Sequence, residues 1–392
     1  MRRTKNSKKE YNPISVLQNE FSFFQNSPLK SLTKIISAEL EFPLAAFNSK
    51  KINQEELISL AGEFDVIAKM LPRSFKHRFD FDSLMVEAIY DEWSQKQQRL
   101  SHPLIPHHEE EWKYKSVYIP ITKKSSEGDT KTPTVSIVYF PSGDDISKID
   151  LLDYPFLCHE LGHSLFFFDD KFFVDDFTKK LNKFLGTLRL RAIADHGNSK
   201  KKADKVIEEI DKSWKPLPTH QNWAHELAID IIALWTCGPA YLAAFQDKLE
   251  ENRSDIFYIS QTHPPYEIRL EALVNTGFKL GWETQSNELR NFLNSKRRER
   301  KRRSNNNLYV ALTSEELVRS CVNSALKTCH HYNLPICDQR RIKFIERKIQ
   351  NNQLLDYGTE LIIGAWIFRS RHSEQKYISW EQNTINELLS DI

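Results

Sequence analysis

The chain reads Cys158-His159-Glu160-Leu161-Gly162-His163-Ser164-Leu165-Phe166-Phe167-Phe168, a His-Glu-x-x-His pattern inside an apolar run. Residues four apart share one face of an α-helix, so His159 and His163 can direct two imidazoles at one zinc ion. Glu160 lies beside them, where it can take a proton from a zinc-bound water. The pattern therefore predicts a zinc hydrolase and, within that class, a peptidase.

The residues around the motif predict that this helix is buried. Apolar side chains cover almost all of its faces: Leu152, Phe156, Leu157, Leu161, Leu165 and Phe166. Asp153 and Pro155 are signals for the start of a helix. Buried polar groups need partners, because unpaired ones are costly. The alternative to a metal site is a pair of core histidines that bond to backbone carbonyls.

Composition indicates a folded chain. Of its 392 residues, 40% are hydrophobic and 28% are charged, which is typical of folded rather than disordered proteins. The length indicates two or three domains, or one large domain with insertions. Only 11 glycines argue against an all-β fold. A net charge of +2 favours no class of partner.

The sequence also bears on the compartment. The basic N-terminus lacks the apolar segment of a secretory signal, and no stretch reaches the roughly 20 apolar residues of a membrane span. Five scattered cysteines do not form a disulfide pattern. We therefore expect a cytoplasmic protein with no membrane span. A second metal site at Cys329, His330, His331 and Cys337 matches no standard zinc spacing.

A catalytic zinc needs a third protein ligand and one open position. Asp169 follows His163 by six residues, but the chain lacks the glycine that would turn it back to the metal. Glu226 is favoured because Asp230 follows one helical turn later, which places two carboxylates on one face of an apolar helix. Asp230 could then accept a hydrogen bond from a zinc-bound histidine. His225 is a rival ligand that lacks this paired support.

Three motifs follow one another along the chain. They are the His-Glu-Leu-Gly-His segment, Glu226 with Asp230, and Thr262-His263-Pro264-Pro265 with Arg269 just beyond. This series resembles the gluzincin metallopeptidases and, within them, the HtpX and CAAX-prenyl-protease family. The resemblance covers roughly residues 135–275.

The resemblance implies roles for particular residues. It makes Glu226 the third zinc ligand and Asp230 the carboxylate that supports the ligands from behind. It also implies that His263 lies near the metal and stabilises the oxyanion, and that Arg269 braces the site by a charge pair. The chain departs from the family in two ways. Members of the family are mostly embedded in membranes, whereas this sequence has no predicted span, and Ile229 stands where they usually have alanine.

The predicted fold class is α+β and predominantly helical, with a small β-sheet in a zincin-like metallopeptidase core. The predicted segments are a helical N-terminal region (1–110), the core (111–293), a basic linker (294–307) and a helical C-terminal module (308–392). Residues of the types that favour strands predict a hairpin from Ser116–Thr122 and Pro133–Phe140. The second strand, Thr134–Phe140, is a candidate edge for an extended substrate.

The predicted function is a zinc-dependent metallopeptidase that hydrolyses peptide bonds in protein substrates, as an endopeptidase rather than an exopeptidase. Glu160 is the general base, a zinc-bound water is the nucleophile, and Zn²⁺ is the cofactor.

The alternative is a nucleic-acid-associated or regulatory protein that uses the basic segment Lys296–Arg303. The zinc site would then be structural or would serve a recruited protease. This segment lacks interleaved aromatic residues, and a solvated linker also explains its charge.

Overall fold

The computed structural model describes residues 76–94, 104–109, 115–120, 134–141, 150–194, 200–216, 222–252, 255–300 and 307–390. The helices predicted before residue 76 lie outside these ranges. The chain divides into two compact units. Unit 1 comprises Met1–Glu87 and Ser101–Ile146, and unit 2 comprises Ala88–Leu100 and Ser147–Ile392.

The described strands all belong to unit 1. They are β1 (Leu104–Glu109), β2 (Lys115–Pro120) and β3 (Thr134–Pro141), in the order β1-β3-β2. β2 and β3 pair antiparallel, as the predicted hairpin requires, with Val117 opposite Ile137. β1 was not predicted, and it pairs with β3 in parallel. β3 is therefore the central strand, and the prediction that Thr134–Phe140 offers a free edge is wrong.

The described elements of unit 2 are helices. Helix α1 (Lys76–Ser94) begins in unit 1 and ends in unit 2. It is followed by α2 (Pro155–Asp169), α3 (Lys171–Ala194), α4 (Lys200–Trp214), α5 (Trp223–Cys237), α6 (Pro239–Asn252), α7 (Tyr266–Lys279), α8 (Glu283–Arg300), α9 (Asn307–Leu312), α10 (Glu315–His331), α11 (Gln339–Gln350), α12 (Thr359–Arg371) and α13 (Glu374–Ser390).

The predicted fold class, an α+β zincin-like core with a small β-sheet, is wrong. The unit that carries the His-Glu-x-x-His helix is helical in its described elements, and the strands belong to the other unit. The reason lies in the helices α2 and α5, which are apolar on nearly all faces and pack on each other and on further helices. Periodicity predicts that such a helix is buried, but it does not specify whether a helix or a sheet covers it.

The ends of the two central helices have identifiable causes. α2 begins with Pro155 in its first turn, and Tyr154 stands at the capping position without a side-chain bond. Asp153 is thus a start signal that does not cap the helix. α5 begins at the cap Asn222, whose side chain accepts hydrogen bonds from two backbone amides. It ends at Gly238, where φ is +56°, so the predicted kink is a complete break between helices.

The helices α2 and α5 approach each other closely at Gly162. A Cβ atom built on Gly162 would lie 2.8 Å from Cγ2 of Ile229, which is closer than real side chains come. The absence of a side chain at Gly162 therefore permits this spacing. All the residues of α5 are buried, which makes it the central helix of unit 2.

The C-terminal helices belong to the same unit as the motif helix. The indole nitrogen of Trp235 in α5 donates to the carbonyl of Leu334 at 3.1 Å, and the backbone amide of Cys337 donates to the carbonyl of Trp235 at 2.8 Å. The thiol of Cys321 in α10 donates to the carbonyl of Ala224 at 3.3 Å. These contacts fasten residues beyond 308 directly to the central helix.

Part of the predicted basic linker is helical, since α8 continues to Arg300. Arg297 pairs there with Glu267 at 2.7 Å and with Glu271 at 2.5 Å. The remainder of the basic segment, residues 301–303, lies outside the described residues. Among the helices that the structure describes, none combines the length and the apolar character needed to cross a membrane.

Candidate metal centre

Helix geometry brings the two motif histidines together. His159 and His163 lie one turn apart on α2, with ring centroids 5.0 Å apart and ring planes at 82°. Their side chains are 8% and 15% exposed, so both rings are largely removed from water while one side of the site stays open.

Glu226 on α5 reaches both rings. Its Oε2 lies 3.6 Å from Nε2 of His159, and its Oε1 lies 3.4 Å from Nε2 of His163. A tetrahedral zinc with bonds of ~2.0–2.1 Å separates its ligand atoms by ~3.3–3.4 Å. Each oxygen of the Glu226 carboxylate therefore lies near one imidazole nitrogen, at a distance close to the spacing of two tetrahedral zinc ligands.

Glu160 belongs to the same cluster. The ligand-type atoms of His159, Glu160 and His163 all lie within 4.8 Å of one another, and this group could hold a metal ion. Glu160 is 8% exposed. It is thus close enough to act beside a bound metal. Glu226 is not a member of this group of mutually close ligand atoms, and each of its oxygens lies near a different imidazole.

Asp230 supports His159 from behind. Its Oδ1 lies 3.0 Å from Nδ1 of His159, the ring nitrogen that faces away from Glu226. Arg269 on α7 donates to both oxygens of Asp230 at 2.7 Å, and the guanidinium lies over the rings of Phe245 and Tyr266. This bidentate pair holds the carboxylate in one orientation.

Tyr241 is a member of the site that sequence reasoning missed. Its hydroxyl donates to Oδ1 of Asp230 at 2.6 Å and lies 3.3 Å from Nδ1 of His159. Tyr241 comes from the first turn of α6, just after the break at Gly238. No local sequence pattern marks it, because only the break between α5 and α6 turns it back toward Asp230.

The buried charges of the centre are mutually compensating. Burial acts to lower the pKa of His159, but the carboxylates of Asp230 and Glu226 outweigh it and raise that pKa to about 10. Burial lowers the pKa of His163. Burial opposes ionisation of Asp230, yet Arg269 and His159 hold its pKa at about 2. Neighbouring histidines likewise lower the pKa of Glu226 against the effect of burial.

His263 completes the group from a loop before α7. Its Nε2 lies 3.6 Å from Oε1 of Glu226, and its side chain is 56% exposed. The indole nitrogen of Trp223 donates to the carbonyl of Ser260 at 3.0 Å, which ties this loop to the start of α5. His263 is thus brought to the open side of the site.

The rival ligands lie elsewhere or are not described. Nδ1 of His225 lies 2.7 Å from the amide nitrogen of Asn222, and its Nε2 lies 3.4 Å from Asp170, so the ring is directed away from Glu226. α2 continues to Asp169 as expected, and the side chain of Asp169 lies outside the described set. The ring of His330 packs edge-on against Trp235 instead of joining a metal cluster.

The donor set suits a zinc ion. Two imidazole nitrogens and one carboxylate oxygen are the ligand types that catalytic zinc sites use, and Asp230 supplies the outer hydrogen bond that ligating histidines usually make. Among the described residues, the side chains grouped closely enough to hold a metal ion are those of His159, Glu160 and His163. Comparison of the chain with protein-family models, curated proteins and solved structures finds no match.

Proposed function

We propose that the chain is a zinc-dependent peptidase whose metal is held by His159, His163 and Glu226. One observation carries the proposal: Oε2 of Glu226 lies 3.6 Å from Nε2 of His159 and Oε1 lies 3.4 Å from Nε2 of His163, so a cation between these groups would meet both imidazoles and the carboxylate. A buried carboxylate beside two buried histidines has a clear use if a divalent cation binds between them.

Zinc, when bound, makes a coordinated water acidic near neutral pH and polarises a carbonyl. Glu160 then acts as the general base, because it adjoins the ligands and accepts a proton from the attacking water. The same carboxyl group returns that proton to the leaving amine. Glu160 therefore serves both halves of the hydrolysis.

The network behind His159 keeps the ligand in position. Asp230 accepts from Nδ1 of His159, which leaves Nε2 free to bind a cation. Arg269 and Tyr241 fill the other hydrogen-bonding directions of that carboxylate. A ring held in this way keeps Nε2 of His159 directed at the position of the cation. Less free energy is then needed to order this ligand when a cation binds.

His263 is suited to act on the substrate. It lies on the exposed side of the cluster, 3.6 Å from Glu226, where a substrate carbonyl would approach. A donor aimed at the developing oxyanion lowers the barrier of the reaction. The substrate class, a peptide bond within a protein, is what the resemblance to the gluzincin metallopeptidases implies.

The described residues favour no second function. Arg297, within the predicted nucleic-acid segment, is engaged by Glu267 and Glu271. Lys296 lies 3.7 Å from Glu299 on its own helix. Nucleic-acid binding through Lys296–Arg303 remains a prediction from the charge of the sequence.

The test compares hydrolysis of fluorescently labelled casein by the zinc-loaded chain with that of Glu160→Gln. We expect the variant to keep its zinc, measured by atomic emission, and to lose hydrolysis. Glu288→Gln, an exposed change on α8, is the matched control and should retain activity. Undiminished hydrolysis by Glu160→Gln would contradict the role of Glu160 as general base. Full zinc content in Glu226→Ala would contradict the role of Glu226 as third ligand.

A further inference from the structure

The loop that carries His263 contains a chain of hydroxyl groups. The backbone amides of Thr262 and His263 donate to Oγ of Ser260 at 3.3 and 3.4 Å. Oγ of Ser260 lies 3.3 Å from Oγ1 of Thr262. Oγ1 of Thr262 lies 2.7 Å from Nδ1 of His263, which is the shortest of these loop contacts. A continuous path thus runs from the loop backbone to the imidazole.

The groups involved limit the directions that these hydrogen bonds can take. A backbone amide can only donate, and a hydroxyl has two acceptor positions and one proton. The two amides can fill both acceptor positions of Ser260, and its proton is then available to Thr262. The hydroxyl of Thr262 can donate to Nδ1 of His263 or accept from it, and the first arrangement leaves the Nε2 proton facing the carboxylate of Glu226, which can only accept. This arrangement gives every proton of the chain an acceptor.

An imidazole that accepts at Nδ1 carries its neutral proton on Nε2. Nε2 is the nitrogen that faces the metal cluster, where Oε1 of Glu226 lies 3.6 Å away as an acceptor. A nitrogen that carries a proton cannot bind a metal ion. In the arrangement in which Thr262 donates to Nδ1, His263 is therefore a donor at Nε2 and not a ligand.

We propose that Ser260 and Thr262 hold His263 as the Nε2–H tautomer, so that His263 is a hydrogen-bond donor and not a fourth metal ligand. This inference rests on the proposed function. It explains how a histidine so close to three ligands leaves one coordination position open. Ser260 and Thr262 are positioning residues in this scheme, and His263 is the group that touches the substrate.

Packing alone does not account for the orientation of the ring. The side chain of His263 is 56% exposed, so neighbouring side chains restrain it only in part. Pro264 and Pro265 restrict the backbone on one side, and the bond from Trp223 to the carbonyl of Ser260 holds the other side. Neither restraint distinguishes the two ring nitrogens, whereas the hydroxyl of Thr262 does.

The first test measures the tautomer in the metal-free, full-length chain. The ring nitrogens of ¹⁵N-histidine-labelled protein are observed by NMR, and the signals of His263 are assigned by their loss in His263→Ala. We expect the Nε2–H tautomer in the wild type and in Thr262→Ser, which keeps the hydroxyl. Thr262→Val has a similar shape without the hydroxyl and should show a mixture of tautomers.

Two outcomes of this measurement would overturn the proposal: an Nδ1–H tautomer in the wild type, or a Thr262→Val spectrum identical to that of the wild type. Because the protein is free of metal, the result does not depend on peptidase activity. If the chain bound no zinc or hydrolysed no casein, the proposed function would fail while the tautomer could still be read.

The second test asks whether His263 binds a metal. The visible spectrum of the cobalt(II)-loaded chain should be unchanged in His263→Ala, since a donor leaves the metal coordination as it is. A changed spectrum would make His263 a ligand and overturn the proposal. With labelled casein, we expect kcat to fall about 100-fold in His263→Ala and about tenfold in Thr262→Val, with KM little changed. Thr262→Ser, which keeps the hydroxyl and loses the methyl group, should have a rate close to that of the wild type. If Thr262 acted only through packing of its methyl group, Thr262→Ser would instead lose activity.

Discussion

At the scale of single residues, Asp230 connects the proposed metal ligands to the rest of unit 2. It is completely buried, and it accepts hydrogen bonds from Arg269 and Tyr241 while facing His159. A buried charge with several good partners is tolerated, whereas removing one partner leaves the others uncompensated. The orientation of His159 therefore depends on a negative charge at Asp230.

We predict that Asp230→Asn weakens zinc binding about 10- to 100-fold, because an outer hydrogen-bond partner both orients a ligating histidine and makes it more basic. Tyr241→Phe should have a smaller effect, since Arg269 still holds the carboxylate. Competition titration with a chromophoric chelator measures both affinities. A dissociation constant for Asp230→Asn equal to that of the wild type would show that His159 needs no such support.

Glu381 provides a residue-scale test away from the metal. Its Oε1 accepts from the backbone amide of Leu151 at 2.7 Å and from the hydroxyl of Tyr377 at 2.6 Å. Burial, with Asp150 and Asp153 nearby, raises the pKa of Glu381 from 4.5 to about 7. Because the folded-state pKa is the higher one, ionisation favours unfolding, and stability is lost as the pH rises from about 4.5 to about 7.

We therefore predict that Glu381→Gln stabilises the protein at pH 8, by up to about 3 kcal/mol, and changes its stability little at pH 5. The amide oxygen can still accept both hydrogen bonds. Urea unfolding at the two pH values measures the difference. Glu387→Gln, an exposed change on the same helix, is the control and should have no pH-dependent effect of this size. Equal stability changes at both pH values would contradict the prediction.

At the scale of elements, the contact between α2 and α5 sets the distance between the proposed metal ligands. The histidines lie on α2 and the carboxylate lies on α5, so their separation follows from the distance between the two helix axes. Gly162 and Ile229 form the close contact, with 2.8 Å between a built Cβ and Cγ2 of the isoleucine. Gly162 provides the space for the side chain of Ile229.

We predict that Gly162→Ala destabilises the protein by about 1–3 kcal/mol and weakens zinc binding, because the added methyl group forces the helices apart. In an Ile229→Ala background the same change should be neutral or stabilising, since the clashing atom is gone and alanine favours helix by about 1 kcal/mol. Denaturant unfolding of the four proteins gives the coupling energy.

The control for this cycle is Gly186→Ala on α3, where a Cβ meets nothing within 4 Å. It should stabilise the protein by about 1 kcal/mol, through helix propensity alone. If Gly162→Ala had the same effect in both backgrounds, the close approach of α2 and α5 would not restrict position 162.

At the scale of the whole molecule, metal binding should be linked to folding. The proposed ligands come from two helices that pack together in unit 2, and His163 and Glu226 are 63 residues apart in sequence. The unfolded chain does not hold these groups together, so a metal ion binds the folded state preferentially. Stability should then depend on metal concentration.

We predict that zinc at ~100 times its dissociation constant raises the unfolding free energy by about 2.7 kcal/mol. A chelator should accordingly lower Tm by several degrees in a scanning calorimeter. His163→Ala removes one ligand and should show a much smaller response to zinc and to the chelator. An identical Tm with and without zinc would contradict the prediction that metal binding at the cluster stabilises the folded state.

The parts of the site that the sequence by itself determined are those with helical spacing. His159 and His163, and likewise Glu226 and Asp230, lie four residues apart, and a helix places such residues on one face whatever surrounds it. The buried character of α2 and α5 also follows from their apolar composition. These features are local, so the order of residues is sufficient to predict them.

Only the tertiary structure decided what covers these helices and what completes the cluster. The prediction of a sheet in the core failed because an apolar helix surface accepts either a helix or a sheet. Tyr241 and Ser260 could not be found in advance, since their places depend on the break at Gly238 and on the loop tied to Trp223. Contacts between residues distant in sequence depend on how whole elements pack, and no periodic pattern encodes that packing.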